Sequence, residues 1–333
     1  MGRAHAVAAS QVAFSFEYRP RHIVCFSGGH SSALVAVEVV RRHGPWGVVL
    51  LNHNINGLVE DPDIKRFKEE VAAFLGLPIT YANHPQWETV TQFDVCRKAR
   101  AFKVRNGEEL CTNRLKTKPF KAWLAANADP SDAVIYYGFD ADETTRIQRR
   151  ATIMAEGGWR TAYPLATWQR TIQSTREIGV EPPLTYGTWK HANCVGCLKA
   201  GWQHWYVVFC TRPDVWQMAV EAEEDIGYTI HRDMSLAERE PEFVAMQRAG
   251  IVPSEHTPKA QFWAEARAAV KSLSQLADDE RAMPCACVFR RRGKATRNMV
   301  PCTCGTLPGE PCLLWCARVF GEGEPMEIVR VAA

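Results

Sequence analysis

His22-Ile-Val-Cys-Phe-Ser27-Gly28-Gly29-His30-Ser31-Ser32, running on into Ala33-Leu-Val-Ala-Val-Glu-Val-Val-Arg-Arg42, is the stretch whose reading decides the fold. The short apolar run before Ser27 has the character of a buried strand. Gly28-Gly29 interrupts it, and the residues after Ser31 carry helical periodicity that ends on two arginines. A strand, a glycine turn and a helix in this order make an anion site. The glycines let backbone pass close to a phosphate, the unpaired N–H groups of the helix start point at it, and Ser27, Ser31 and Ser32 add hydroxyls beside His30. An ordinary β-to-α turn would read the same way, so the remainder of the chain must decide.

Outward from this unit the alternation continues. Gly47–Asn54 reads as a second buried strand, 61–75 as a helix stopped by Gly76 and Pro78, and 79–82 as a third strand. A helical stretch around 114–126 leads to a fourth strand over 133–138. A helix opening at Asp140, an extended segment over 161–165, a helix from Gln169 to Gly179 and another from Pro213 to Gly227 follow. Residues 180–211 read as aromatic loop around Cys194-Val-Gly-Cys197. Alternating strands and helices predict an α/β fold, a Rossmann-like parallel sheet with helices on both faces. Its ligands would bind at the carboxyl ends of the strands, where Ser27, Asn52 and Gly138 stand. The character changes near residue 236, which divides the chain into a nucleotide-binding domain over 1–235 and an appendage over 236–333, with a helix near 259–279 and a cysteine-rich tail.

The 333 residues are 46% hydrophobic and 23% charged, as in a folded globular protein, and a net charge of +3 is too small to imply nucleic acid by itself. Without a long apolar run or a secretory leader pattern, the sequence predicts a cytoplasmic protein with no membrane partner. In that compartment the twelve cysteines are expected to be thiols or metal ligands.

Four segments, in order, resemble the phosphoadenylyl-sulfate (PAPS) reductase family of the PP-loop adenine nucleotide alpha-hydrolase group. Ser27-Gly-Gly-His-Ser-Ser32 is similar to its Ser-Gly-Gly-x-Asp-Ser loop, and Cys111-x4-Lys116-x2-Pro119 to its Cys-x4-Lys-x2-Pro segment. Gly138-Phe-Asp-Ala-Asp-Glu143-Thr-Thr-Arg146 is similar to its Gly-x-Arg-x-x-Glu-Ser-x-x-Arg stretch, and Tyr163-Pro-Leu-Ala-Thr-Trp168 with Cys194-x-x-Cys197 to its Pro-Leu-x-x-Trp and Cys-x-x-Cys. The resemblance covers about residues 20–230. It implies ATP with Mg²⁺ as cofactor, the adenine nucleotide being held by Ser27, Gly28, Gly29, His30, Ser31, Ser32, Asn52 and Gly138, with Lys116, Glu143 and Arg146 as catalytic groups. The departures are equally specific: Ser31 replaces the loop aspartate, Asp140 stands where an arginine is expected, Cys111 is single, and the reductases' Glu-Cys-Gly-Leu-His ending is absent. Without that mobile cysteine, sulfonucleotide reduction lacks its nucleophile.

Cys194 and Cys197 are spaced to converge on one centre, and the resemblance brings Cys111 beside them. Three thiolates on a 4Fe-4S cluster would leave one iron open for sulfur transfer. Zinc would need a fourth ligand, from Cys210, His191 or His204, while a redox disulfide or simply buried thiols would need none. In the tail, Cys285-x-Cys287, Cys302-x-Cys304 and Cys312-x3-Cys316 are expected to hold zinc, and Arg290–Arg292, Lys294 and Arg297 to touch a nucleic-acid substrate. The resulting expectation is an ATP-dependent, adenylating, pyrophosphate-releasing sulfurtransferase with an unidentified sulfur donor. The alternatives are a sulfonucleotide reductase and a nucleotide-binding regulatory protein.

Overall fold

The computed structural model describes residues 21–105, 107–192, 194–282, 288–290 and 327–329. Cys285, Cys287, Cys302, Cys304, Cys312 and Cys316, together with Arg291, Arg292, Lys294 and Arg297, lie outside the described residues. The chain divides into two units, Met1–Glu240 with Pro253–Thr257, and Pro241–Val252 with Pro258–Ala333.

The first unit runs β1 (His22–Cys25), α1 (His30–His43), β2 (Val48–Asn52), α2 (Pro62–Leu75), β3 (Ile79–Tyr81), α3 (Gln92–Ala99) and α4 (Leu110–Thr112). A π-helical turn (Asn113–Thr117), α5 (Lys118–Asn127), β4 (Val134–Tyr136), α6 (Thr144–Ala155), β5 (Arg160–Ala162), α7 (Pro164–Thr167), α8 (Trp202–Thr211) and α9 (Pro213–Ile226) follow. Helix α10 (Leu236–Arg248) bridges the boundary. The second unit holds α11 (Lys259–Ala282) and an antiparallel pair, β6 (Val288–Arg290) with β7 (Glu327–Val329).

The five main strands form one parallel sheet in the order β3-β2-β1-β4-β5, with His22 in register with Val48 on one side and Val134 on the other. The expected Rossmann-like arrangement is therefore present. Successive β1 side chains point to opposite faces. Val24 joins Phe26, Leu34, Val37, Phe67 and Val71 in one core, and Ile23 joins Leu51, Leu124, Ile135 and Tyr163 in the other. Each such side chain contributes about 1.5–3 kcal/mol by leaving water. Local signals agree with the packing: Asp61 caps α2 by accepting from the Asp63 N–H at 2.8 Å, Pro62 opens it, and Gly76 closes it in the left-handed region at φ 64°.

Three expectations need correction. Residues 169–179 are not a helix; only Thr175–Ile178 form a 3-10 turn. The N–H groups of Thr171 and Ile172 donate to the buried Glu38 carboxylate at 2.5 and 3.3 Å, a tertiary bond that fixes the segment ahead of that turn. The helix expected from Asp140 begins at Thr144, with Glu143 at its N-cap. The aromatic stretch expected as loop contains α8, whose core-facing Trp205, Tyr206, Val207 and Val208 are fully buried. Near 114–126 the chain is helical as expected, but it slips into a π turn ahead of Pro119, which lacks the N–H needed for a regular bond. Among the described residues, no helix is long and apolar enough to cross a membrane.

Candidate nucleotide and thiol site

The strand order reverses between β1 and β4, where a doubly wound sheet opens a crevice at its carboxyl edge. Both lips of that crevice are glycine. A Cβ at Gly138 would fall 3.0 Å from the Ser32 nitrogen and 3.1 Å from the Ser31 carbonyl carbon, so the end of β4 passes backbone to backbone against the first turn of α1. Gly28 adopts φ +84°, and a Cβ there would meet Ile64 Cγ2 and Lys68 Cδ at 2.9 Å. The Ser32 hydroxyl returns to the Gly29 carbonyl at 2.8 Å and receives the Ser27 hydroxyl at 3.2 Å. The His30 N–H donates to the Tyr186 hydroxyl at 2.9 Å, while the imidazole Nε2 accepts from the Thr175 N–H at 3.2 Å. Burial first, and Arg176 second, hold that imidazole below the usual histidine pKa. Tyr186, absent from the sequence expectations, thus covers one of the amides expected from the sequence to meet an anion.

Asn52 is buried, and its amide is committed within the protein: Nδ2 donates to the Phe26 carbonyl and Oδ1 receives Lys68 Nζ at 3.4 Å. It braces the strand end beneath the glycine turn. His53, its neighbour, gives Nδ1 to the Ala82 carbonyl at 2.6 Å.

Glu143 and Arg146 meet as their spacing predicts, in an ion pair beyond Gly138. Glu143 also accepts the Asp140 N–H at 3.0 Å, and the Arg146 guanidinium lies 4.4 Å from the centroid of the Phe139 ring. Asp140, standing where the family pattern has arginine, is itself paired with Arg170, which also donates to the Leu165 carbonyl at 2.9 Å. A guanidinium therefore stands beside this position, supplied from the following segment.

The structure brings Cys111, Cys194 and Cys197 together around Lys116. The Lys116 ammonium lies 3.9 Å from Cys194 Sγ and feels Cys194, Cys197 and Cys111 in that order, which holds its pKa above the ordinary lysine value. Burial foremost, then the sulfurs of Cys194 and Cys197, push the Cys111 thiol up to about 12, with Lys116 opposing. Burial likewise raises Cys197, against a hydrogen bond from the Lys199 N–H. Gly196 at φ +70° makes the tight turn between the two cysteines; a Cβ there would collide with Val215 Cγ1 at 2.8 Å. The turn is anchored by Val195 N–H to the Val59 carbonyl at 2.8 Å and by the Gln92 side chain to the Val195 carbonyl at 2.8 Å. A fourth thiol, the fully buried Cys96 of α3, accepts from the Cys111 N–H and is itself pushed up to about 12. Nothing in its spacing announced it.

Two of the side chains named as a fourth zinc ligand, His204 and Cys210, are engaged in other hydrogen bonds. His204 binds Glu255 through Nδ1 at 2.6 Å and accepts the Cys197 N–H through Nε2 at 3.2 Å, Cys210 is hydrogen-bonded to Tyr206, and His191 is exposed. Among the described residues, no group of three or more His, Cys, Asp or Glu side chains is arranged to hold a metal ion. The described group is three thiols with the Lys116 ammonium 3.9 Å from Cys194 Sγ. No family model, curated protein or solved structure matches the chain.

Proposed function

We propose that the chain is an ATP-dependent sulfurtransferase of the PAPS reductase kind, which adenylates an acceptor, releases pyrophosphate, and passes sulfur to the activated atom. The observation that carries this reading is the contact of Gly138 with Ser31 and Ser32, which places two glycine lips and a helix start at the sheet's switch point. ATP would lie with its phosphates at Gly28, Gly29 and the α1 N-terminus, and Mg²⁺ would arrive with those phosphates. Catalysis of the first step would then be alignment and charge neutralisation, with Arg146 and Arg170 as the available guanidiniums near Gly138. The group of Cys111, Cys194 and Cys197 around Lys116 would receive hydrosulfide from the donor; its sulfur would bond to the activated atom as the bond from that atom to AMP breaks, AMP leaving with the electron pair and no change of oxidation state.

The test is product analysis with labelled ATP, Mg²⁺, a sulfide donor and a total nucleic-acid fraction as acceptor. The proposal expects AMP and pyrophosphate in equal amounts, and no sulfite from sulfonucleotides. Sulfite release without AMP would replace the transferase by a reductase.

A further inference from the structure

Helix α2 turns an apolar face to the sheet through Ile64, Phe67, Val71 and Leu75, and Lys68 sits on that face. Its side chain is only 1% exposed. The stem packs beneath Gly28, where Cδ stands 2.9 Å from the place a Cβ would take. The ammonium is held 3.0 Å from Glu60 Oε1 and 3.4 Å from Asn52 Oδ1, and Asn52 in turn holds the Phe26 carbonyl two residues before Gly28. Glu60 Oε2 has no hydrogen-bond partner; Lys65 Nζ stands 3.9 Å away, and Lys116 feels the same carboxylate. One buried carboxylate thus serves three lysines.

A buried ion pair is a poor way to gain stability, because desolvating two charges costs about as much as their attraction returns. A position flanked by Ile64, Phe67 and Val71 would be filled more cheaply by an aliphatic residue. An anion above the turn gives the charge a use, since a fixed cation in a low-dielectric floor attracts phosphate without having to reorganise. We infer that Lys68 is a positioning residue of the nucleotide site: a buried cation fixed by Glu60 beneath Gly28, which both supports the turn and supplies positive potential to the phosphates. This rests on the nucleotide reading proposed above and adds a residue that the motif pattern does not contain.

The experiment uses full-length Lys68→Met, which keeps the volume and removes the cation alone. Calorimetry is run with Mg-ATP and with adenosine, alongside thermal denaturation. The variant is expected to melt below the wild-type temperature, because Glu60 loses its closest cation, to bind ATP about tenfold more weakly and to bind adenosine unchanged, because only the phosphates feel the lost charge. Equal losses for ATP and adenosine, or no loss for ATP, would overturn the inference. If Lys68→Met does not fold, Lys68→Met/Glu60→Gln, which also removes the stranded carboxylate, is read by the same comparison, with a smaller but still ATP-selective loss expected. Wild-type protein that binds neither ligand removes the nucleotide reading itself, an outcome distinct from a variant that binds as wild type does.

Discussion

Gly28 and Gly29 are adjacent in the same turn, yet the structure assigns them different burdens, and substituting alanine for each separates folding from ligand binding. At Gly28 the backbone is at φ +84°, which costs an L-residue about 1–2 kcal/mol, and the new Cβ would sit 2.9 Å from Ile64 Cγ2 and Lys68 Cδ, adding roughly 1–3 kcal/mol of overpacking. Gly28→Ala should therefore lose about 2–5 kcal/mol of stability. Gly29 has φ −88° and ψ 156°, and a Cβ there meets the Tyr186 hydroxyl at 3.4 Å, Ala192 Cβ at 3.6 Å and Ser27 Oγ at 3.7 Å, all ordinary contacts. Gly29→Ala should cost no more than about 1 kcal/mol, the difference between the two residues at a helix N-cap. A methyl group at the start of α1 nevertheless stands where a phosphate oxygen must approach, so ATP should bind about tenfold more weakly or worse. Thermal denaturation and ATP calorimetry on both variants make the comparison. A Gly29→Ala protein that binds ATP as wild type does would refute the phosphate assignment, and a Gly28→Ala protein that melts with wild type would refute the packing argument.

The remaining expectations address other parts of the molecule. Glu38→Ala should destabilise the fold by about 3–5 kcal/mol in urea unfolding, because it strands the N–H groups of Thr171 and Ile172 that now bind a buried carboxylate; a loss under 1 kcal/mol would disprove that bond's importance. Arg146 is 64% exposed and its pair with Glu143 is worth about 0–1 kcal/mol, so Arg146→Ala should keep the melting temperature while pyrophosphate release falls; equal damage to both would make the pair structural. Iron and zinc analysis of anaerobic full-length protein should show that any metal lost in Cys194→Ser is also lost in Cys197→Ser and retained in Cys210→Ser. Identical metal content in all three would detach Cys194 and Cys197 from metal binding.

Strand-forming and helix-forming segments were readable where periodicity and punctuation agreed. Asp61, Pro62 and Gly76 bound α2, and Pro213 and Gly227 bound α9, because capping is a local property that needs no partner. The stretch before Gly179 misled for the opposite reason: its backbone donors answer to Glu38, more than 130 positions earlier, and no local pattern carries that information. The same limit applies to the site. Glycine turns, the Glu143–Arg146 spacing and Cys194-x-x-Cys197 are visible as short motifs, whereas Tyr186 over His30, Cys96 beside Cys111 and Arg170 beside Asp140 are made by tertiary folding alone. Lys68 is an intermediate case. A lysine between Ile64, Phe67, Val71 and Leu75 on one helical face is a visible anomaly in the sequence, but only the contact with Gly28 says what it serves.

Hydrogen–deuterium exchange of the full-length protein with and without Mg-ATP tests the central claim most directly, because it reports where the nucleotide acts and does not require the acceptor. The account predicts new protection in peptides covering residues 27–33 and 138–146, the two lips of the crevice between β1 and β4. Unchanged exchange in both segments at saturating Mg-ATP, or protection confined to other parts of the chain, would contradict it.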